Sequence, residues 1–112
     1  MNRKEIEQKL MEMNFPAANK GFCYIAELLE CIHQDNGQII KLTATYAEIA
    51  KRQQVTPSSV ERCIRHEIAC YYNQRNIHPM LENKNDYYIK LTNREFLARL
   101  YRIIYDEERQ EI

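Results

Sequence analysis

Apolar side chains recur at intervals of three and four along almost the whole chain, and few residues in it interrupt them. That spacing is the period of an amphipathic α-helix. The chain contains only two glycines and three prolines, so helix breakers are scarce. Val, a strand former, appears only at Val55 and Val60, while Leu, Ile, Met and Ala make up most of the apolar set. The expectation is an all-α fold. A length of 112 residues suits a single domain, 1–112, with one adequate core.

The breaks that do occur divide the chain into about six helices. Asn2 can cap a first helix running to about residue 13, with Ile6, Leu10 and Met13 on one face. Pro16 ends that stretch, and Phe22, Ile25, Leu28, Leu29 and Ile32 place a second helix over 18–35. Asn36-Gly37 is a turn signal, with 38–42 briefly extended. A third helix over 45–53 carries Tyr46, Ile49 and Ala50. Thr56 is a good N-cap, and Pro57 suits the first position of a fourth helix reaching about residue 75. A short helix is expected within 78–84, and 83–86 read as a loop. Thr92 and Glu95 form a capping box ahead of a last helix whose apolar face is Phe96, Leu97, Leu100, Ile103 and Ile104.

The third and fourth helices meet at a tight connection, residues 53–56. A short helix, an abrupt turn and a second helix free to enter the major groove make a helix-turn-helix. Ile49, Ala50, Val55 and Val60 stand where such units bury small or apolar side chains. Two positions fit poorly: Gln53 where a Leu-like residue is usual, and Gln54 where Gly often makes the turn. Wound as an α-helix, the fourth segment places Val60, Cys63, Ile64, Ile68 and Tyr71 on one side. Ser58, Arg62, Arg65 and Ala69 fall opposite, flanked by Glu61, Ser59 and His66. Guanidiniums can grip guanine edges, and a carboxylate can accept from the cytosine amine. The plain alternative is a solvated helix face, with Glu61 and Arg65 as a stabilising i, i+4 pair.

Net charge is zero, so the overall basic excess common in nucleic-acid binders is absent. The distribution is uneven, however. Residues 51–66 hold the bases Lys51, Arg52, Arg62 and Arg65 against the single acid Glu61, whereas four acids and one base lie in 106–112.

The run Val60-Glu61-Arg62-Cys63-Ile64-Arg65-His66 closely resembles the recognition helix of the C-terminal effector domain of stage 0 sporulation protein A, a family of sporulation master regulators. Phe15-Pro16-Ala17, Lys20-Gly21-Phe22, Tyr24-Ile25, Tyr46 to Lys51, Asn76-Ile77 and Thr92 to Phe96 match other parts of that domain in order, so the resemblance covers about 14–109. It implies a winged-helix-like helical effector domain without a clear wing, which binds promoter boxes in double-stranded DNA, often as a head-to-tail pair. Glu61, Arg62, Arg65 and His66 match the family's base-facing positions. Ser59 joins them in place, but the family commonly has Arg there. Lys51, Arg52 and Ser58 are the expected contacts to the DNA backbone. Glu67 replaces a small residue of the family with a carboxylate on the inner side of the helix. Residues 75–86 correspond to the family's surface for an RNA polymerase sigma factor, and they differ here. The family's full-length regulator has a phosphorylatable receiver domain ahead of this module; none is expected within these 112 residues, whether the module stands alone or was cut from something longer.

The rival function is an interaction module that pairs with a related regulator without reading DNA. Other chemistry finds little support. Cys63, His66 and Cys70 share an arc that Cys31 or His33 could extend towards zinc, but no CxxC or HExxH spacing occurs, so no metal and no cofactor are expected. Neither a nucleophile elbow nor a phosphate loop is present, and no catalytic residues are assigned. The eight tyrosines, Tyr71-Tyr72 and Tyr87-Tyr88 among them, read as core or interface rather than a stacking surface for single strands. With no signal peptide or membrane span apparent, the expected location is cytoplasmic, with the four cysteines reduced.

Overall fold

The computed structural model describes residues 1–39, 41–82 and 91–110. Among them are five α-helices and one 3-10 turn, with no strand. The helices are α1 (Arg3–Glu12), α2 (Lys20–Gln34), α3 (Leu42–Gln53), α4 (Pro57–Tyr72) and α5 (Asn93–Gln110). The 3-10 turn, Pro79–Leu81, stands where a short sixth helix was expected. The loop expected at 83–86, and Tyr87-Tyr88, lie outside the described residues.

α2 is the hub. It packs against α1, α3, α4 and α5, and most of its side chains from Phe22 to Ile32 are buried. It keeps a narrow stripe, Cys23, Glu30 and Gln34, towards water. It does carry one buried acid, Glu27. Near its start α2 comes very close to α4. A Cβ added at Gly21 would lie 2.2 Å from the Cys63 carbonyl oxygen and 2.8 Å from Glu67 Cβ. Only a residue without a side chain permits that approach.

The helix ends follow their caps. Asn2 Oδ1 accepts from the Glu5 N–H at 2.9 Å, and α1 buries Ile6 and Leu10. Asn14, at φ +69°, closes α1 in a left-handed turn in which the Phe15 N–H reaches the Leu10 carbonyl. Phe15 then stacks on Tyr71 at 4.3 Å between ring centroids and meets the edge of Phe96. This aromatic group ties the turn after α1 to the end of α4 and the start of α5. Tyr71 also accepts from the His78 N–H, and Tyr72 donates to the Leu81 carbonyl, so both tyrosines brace the segment after α4. Thr92 Oγ1 accepts from the Glu95 N–H at 3.1 Å, and the apolar face of α5 is buried as expected.

Two boundaries differ from expectation. α3 begins at Leu42, three residues early, because the Lys41 carbonyl already accepts from the Thr45 N–H without any side-chain cap. α4 ends at Tyr72 rather than near residue 75, with Asn73 closing it.

Candidate nucleic-acid interface

The turn between α3 and α4 is built from its backbone. Gln54 adopts φ +58° and ψ +44°, and the Val55 N–H donates to the Ala50 carbonyl at 3.0 Å. This is a left-handed helix stop with an apolar residue following it, the role Gly fills most cheaply. Gln54 takes the conformation despite its side chain. Thr56 Oγ1 then accepts from the Ser59 N–H at 3.1 Å, and Pro57 opens α4. Together they start a sixteen-residue helix directly after the turn.

α4 has two distinct sides. Val60, Ile64, Glu67, Ile68 and Tyr71 are buried against the core. Ser58, Arg62, Arg65, His66 and Ala69 are exposed, while Ser59 and Glu61 are partly covered. Arg65 and Glu61 form an ion pair at 3.5 Å, with the Arg65 side chain 61% exposed. Such a pair is weak and easily opened. His66 Nε2 lies 3.5 Å from Cys70 Sγ along the same side. Arg62 and His66 border an open cleft of about 460 Å³, closed on its other side by Asn19, Lys20 and Gly21 of the α2 start.

Lys51 is exposed at the end of α3, and Ser58 is exposed in the first turn of α4. Arg52 has partners within the chain. Its guanidinium donates to Glu27 Oε1 at 3.1 Å and also pairs with Glu48. The hydrogen bond to Glu27 raises the guanidinium's already high pKa further. Gln53 Nε2 donates to the other oxygen of the same carboxylate, at 3.1 Å. The odd Gln53 therefore has a partner twenty-six residues away in sequence, which helical periodicity cannot reveal.

Glu67 is fully buried beneath this face. Its Oε1 accepts from Asn19 Nδ2 at 3.0 Å, while Oε2 has no hydrogen-bond partner among the described residues. Burial pushes its carboxyl up, against the pull of the Asn19 hydrogen bond and the His66 charge. The folded chain thus holds this proton more tightly than the unfolded chain. The stability tied to it is fullest below the ordinary carboxylate range and is lost as pH rises through the raised value. Glu67→Gln should match wild type in acid and exceed it by about 1 kcal/mol at neutral pH, a low figure because Asn19 already satisfies one oxygen. Urea unfolding across a pH series checks this. A difference that does not vary with pH would show that the charge on Glu67 is not its cause.

Among the described residues, no three His, Cys, Asp or Glu side chains converge as metal ligands. His33 Nδ1 is 2.8 Å from the Tyr101 hydroxyl, and Cys31 is buried in α2, so neither joins Cys63, His66 and Cys70. No described helix is long and apolar enough to cross a membrane.

A capped helix follows directly on a left-handed turn and carries arginines on its outer side, the arrangement of a helix-turn-helix unit. The family model described as Sporulation initiation factor Spo0A C terminal matches residues 6–104, which take in α1 to α4 and most of α5. The chain belongs to that family of DNA-binding regulatory domains of sporulation initiation.

Proposed function

We propose that this domain binds double-stranded DNA sequence-specifically, with α4 in the major groove, and regulates transcription at the onset of sporulation. The observation that carries the reading is the outer side of α4. Arg62, Arg65 and His66 project there without serving the core, immediately after the helix-turn-helix turn. In this docking Arg62 and Arg65 read guanine edges, and Glu61 and His66 read neighbouring bases. Lys51, Ser58 and the start of α4 meet phosphates. The family's further traits, head-to-tail pairing on tandem boxes and contact with a sigma factor, are part of the same reading. The second falls on residues 75–86, of which 83–86 lie outside the described residues.

Selection of bound duplexes from a random pool, followed by affinity measurements over a salt series, tests the reading. An enriched box and a steep fall of affinity with salt are expected, since neutralised phosphates release counterions. Failure to enrich any motif at low salt would favour the rival interaction module, to which the zero net charge lends some weight.

Ser59 sharpens the docking. It lies in the first turn of α4, partly covered, with its backbone N–H already held by Thr56. Its hydroxyl is too short for a bidentate guanine contact. Ser59→Arg is expected to tighten specific binding by about 1 kcal/mol, the low end for one such contact because a long side chain must be ordered. It should also sharpen the preference at one base of the box. Affinity profiles of both proteins over all single-base variants decide, and a variant with no new base preference rules this docking out.

A further inference from the structure

We propose that Glu27 is a positioning residue for the helix-turn-helix, holding the end of α3 through Arg52 and Gln53 and withholding Arg52 from the DNA backbone. Glu27 lies midway along α2, 3% exposed. A buried carboxylate is costly unless both its oxygens are paired. Here each has its own donor: Arg52 Nη1 on Oε1 and Gln53 Nε2 on Oε2, both at 3.1 Å. These donors are the last two residues of α3, directly before Gln54 turns left-handed. The carboxylate therefore anchors the point from which α4 departs. A shift of Arg52 or Gln53 is carried through a three-residue connection into the start of the recognition helix.

The same contacts account for two features of the sequence. An amide rather than an apolar side chain stands at Gln53 because it must reach a carboxylate. Arg52 lies beside the proposed DNA face, 45% exposed, yet its guanidinium pairs with two acids of this chain, the buried Glu27 and the exposed Glu48. The Glu48 pair is a surface i, i+4 contact, which holds weakly. Glu27 is the stronger hold, because releasing Arg52 would strand a buried charge.

The part concerning Arg52 and DNA rests on the DNA-binding reading; the anchoring of the turn does not. Two measurements separate them. The first is the slope of log affinity against log salt for a random duplex. Arg52→Gln alone should leave the slope unchanged. Glu27→Gln, nearly isosteric, should free Arg52 and steepen the slope by about one unit, and adding Arg52→Gln should abolish that gain. A slope flattened by about one unit in Arg52→Gln alone would show Arg52 already on a phosphate, and overturn the withholding. The second is amide exchange of the Val55 N–H, which is bonded to Ala50. It should speed up about tenfold in Glu27→Gln and in the exposed variant Gln53→Ala, as the turn loosens. Unchanged exchange in both folded variants would overturn the anchoring. Wild type that binds no duplex would sink the DNA reading and the withholding with it, and Val55 exchange would still decide the rest.

Discussion

Gly21→Ala is expected to destabilise the domain by about 3 kcal/mol, near the upper end for an overpacked core. Two effects compete at this position. Alanine favours a helix over glycine by roughly 0.5–1 kcal/mol. Its Cβ, however, would sit 2.2 Å from the Cys63 carbonyl oxygen, a backbone atom that cannot swing aside as a side-chain tip could. Relief requires α2 and α4 to part by the better part of an ångström, which opens the packing around Ile25, Val60 and Ile64. The steric effect therefore wins. Thermal unfolding should show a fall of roughly 10–20 °C for a domain of this size. On the proposed docking α4 carries the reading face, so the variant should also lose specific DNA affinity while still folded in the cold. A loss below about 1 kcal/mol would mean the helices can part at little cost, and the close approach would not be a constraint.

The second large effect is on recognition. Arg62→Ala and Arg65→Ala should each weaken binding to the selected box by about 2 kcal/mol, roughly thirtyfold. Binding to random duplex should fall far less. Neither change should alter folding, because both side chains are exposed and the Glu61–Arg65 pair contributes little. Lys51→Ala is the contrasting case. It should weaken all duplexes alike and flatten the salt slope by about 0.9, the mark of one lost phosphate contact. Competition binding against the box and a random duplex gives all three results. Equal losses on both DNAs for the two arginines would show that they touch only phosphate.

The helix starts could be read directly because their signals are local. Asn2, Thr56 and Thr92 each cap through a side-chain oxygen three residues before the N–H that it holds, and Pro57 follows its cap. The two faces of α4 were legible for the same reason, since one period relates all their residues. Glu67 was rightly placed on the inner side, but the pairing of its oxygens was not visible, because Asn19, ahead of α2, is forty-eight residues away in sequence. Glu27 escaped notice altogether. Glu27 shares its arc of α2 with the exposed Cys23 and Gln34, so periodicity does not distinguish a covered carboxylate from one that faces water. Arg52 shows the same limit: its class of residue and its position suggest a phosphate, while an acid that holds it lies twenty-five residues upstream. The start of α3 at Leu42 had no cap to announce it.

The two-sidedness of α4 also bears on how such a domain can diverge. Its inner residues are bound into α2, α3 and the aromatic group around Phe15, so exchanges there disturb the whole core. Ser58, Arg62, Arg65 and His66 carry no such burden, and surface exchanges of this kind usually shift stability by no more than about 0.5 kcal/mol. On the proposed docking, operator preference is therefore free to drift between lineages without compensating changes in the scaffold. Gene duplicates of one such domain could come to govern separate promoters through a handful of substitutions on a single helix side.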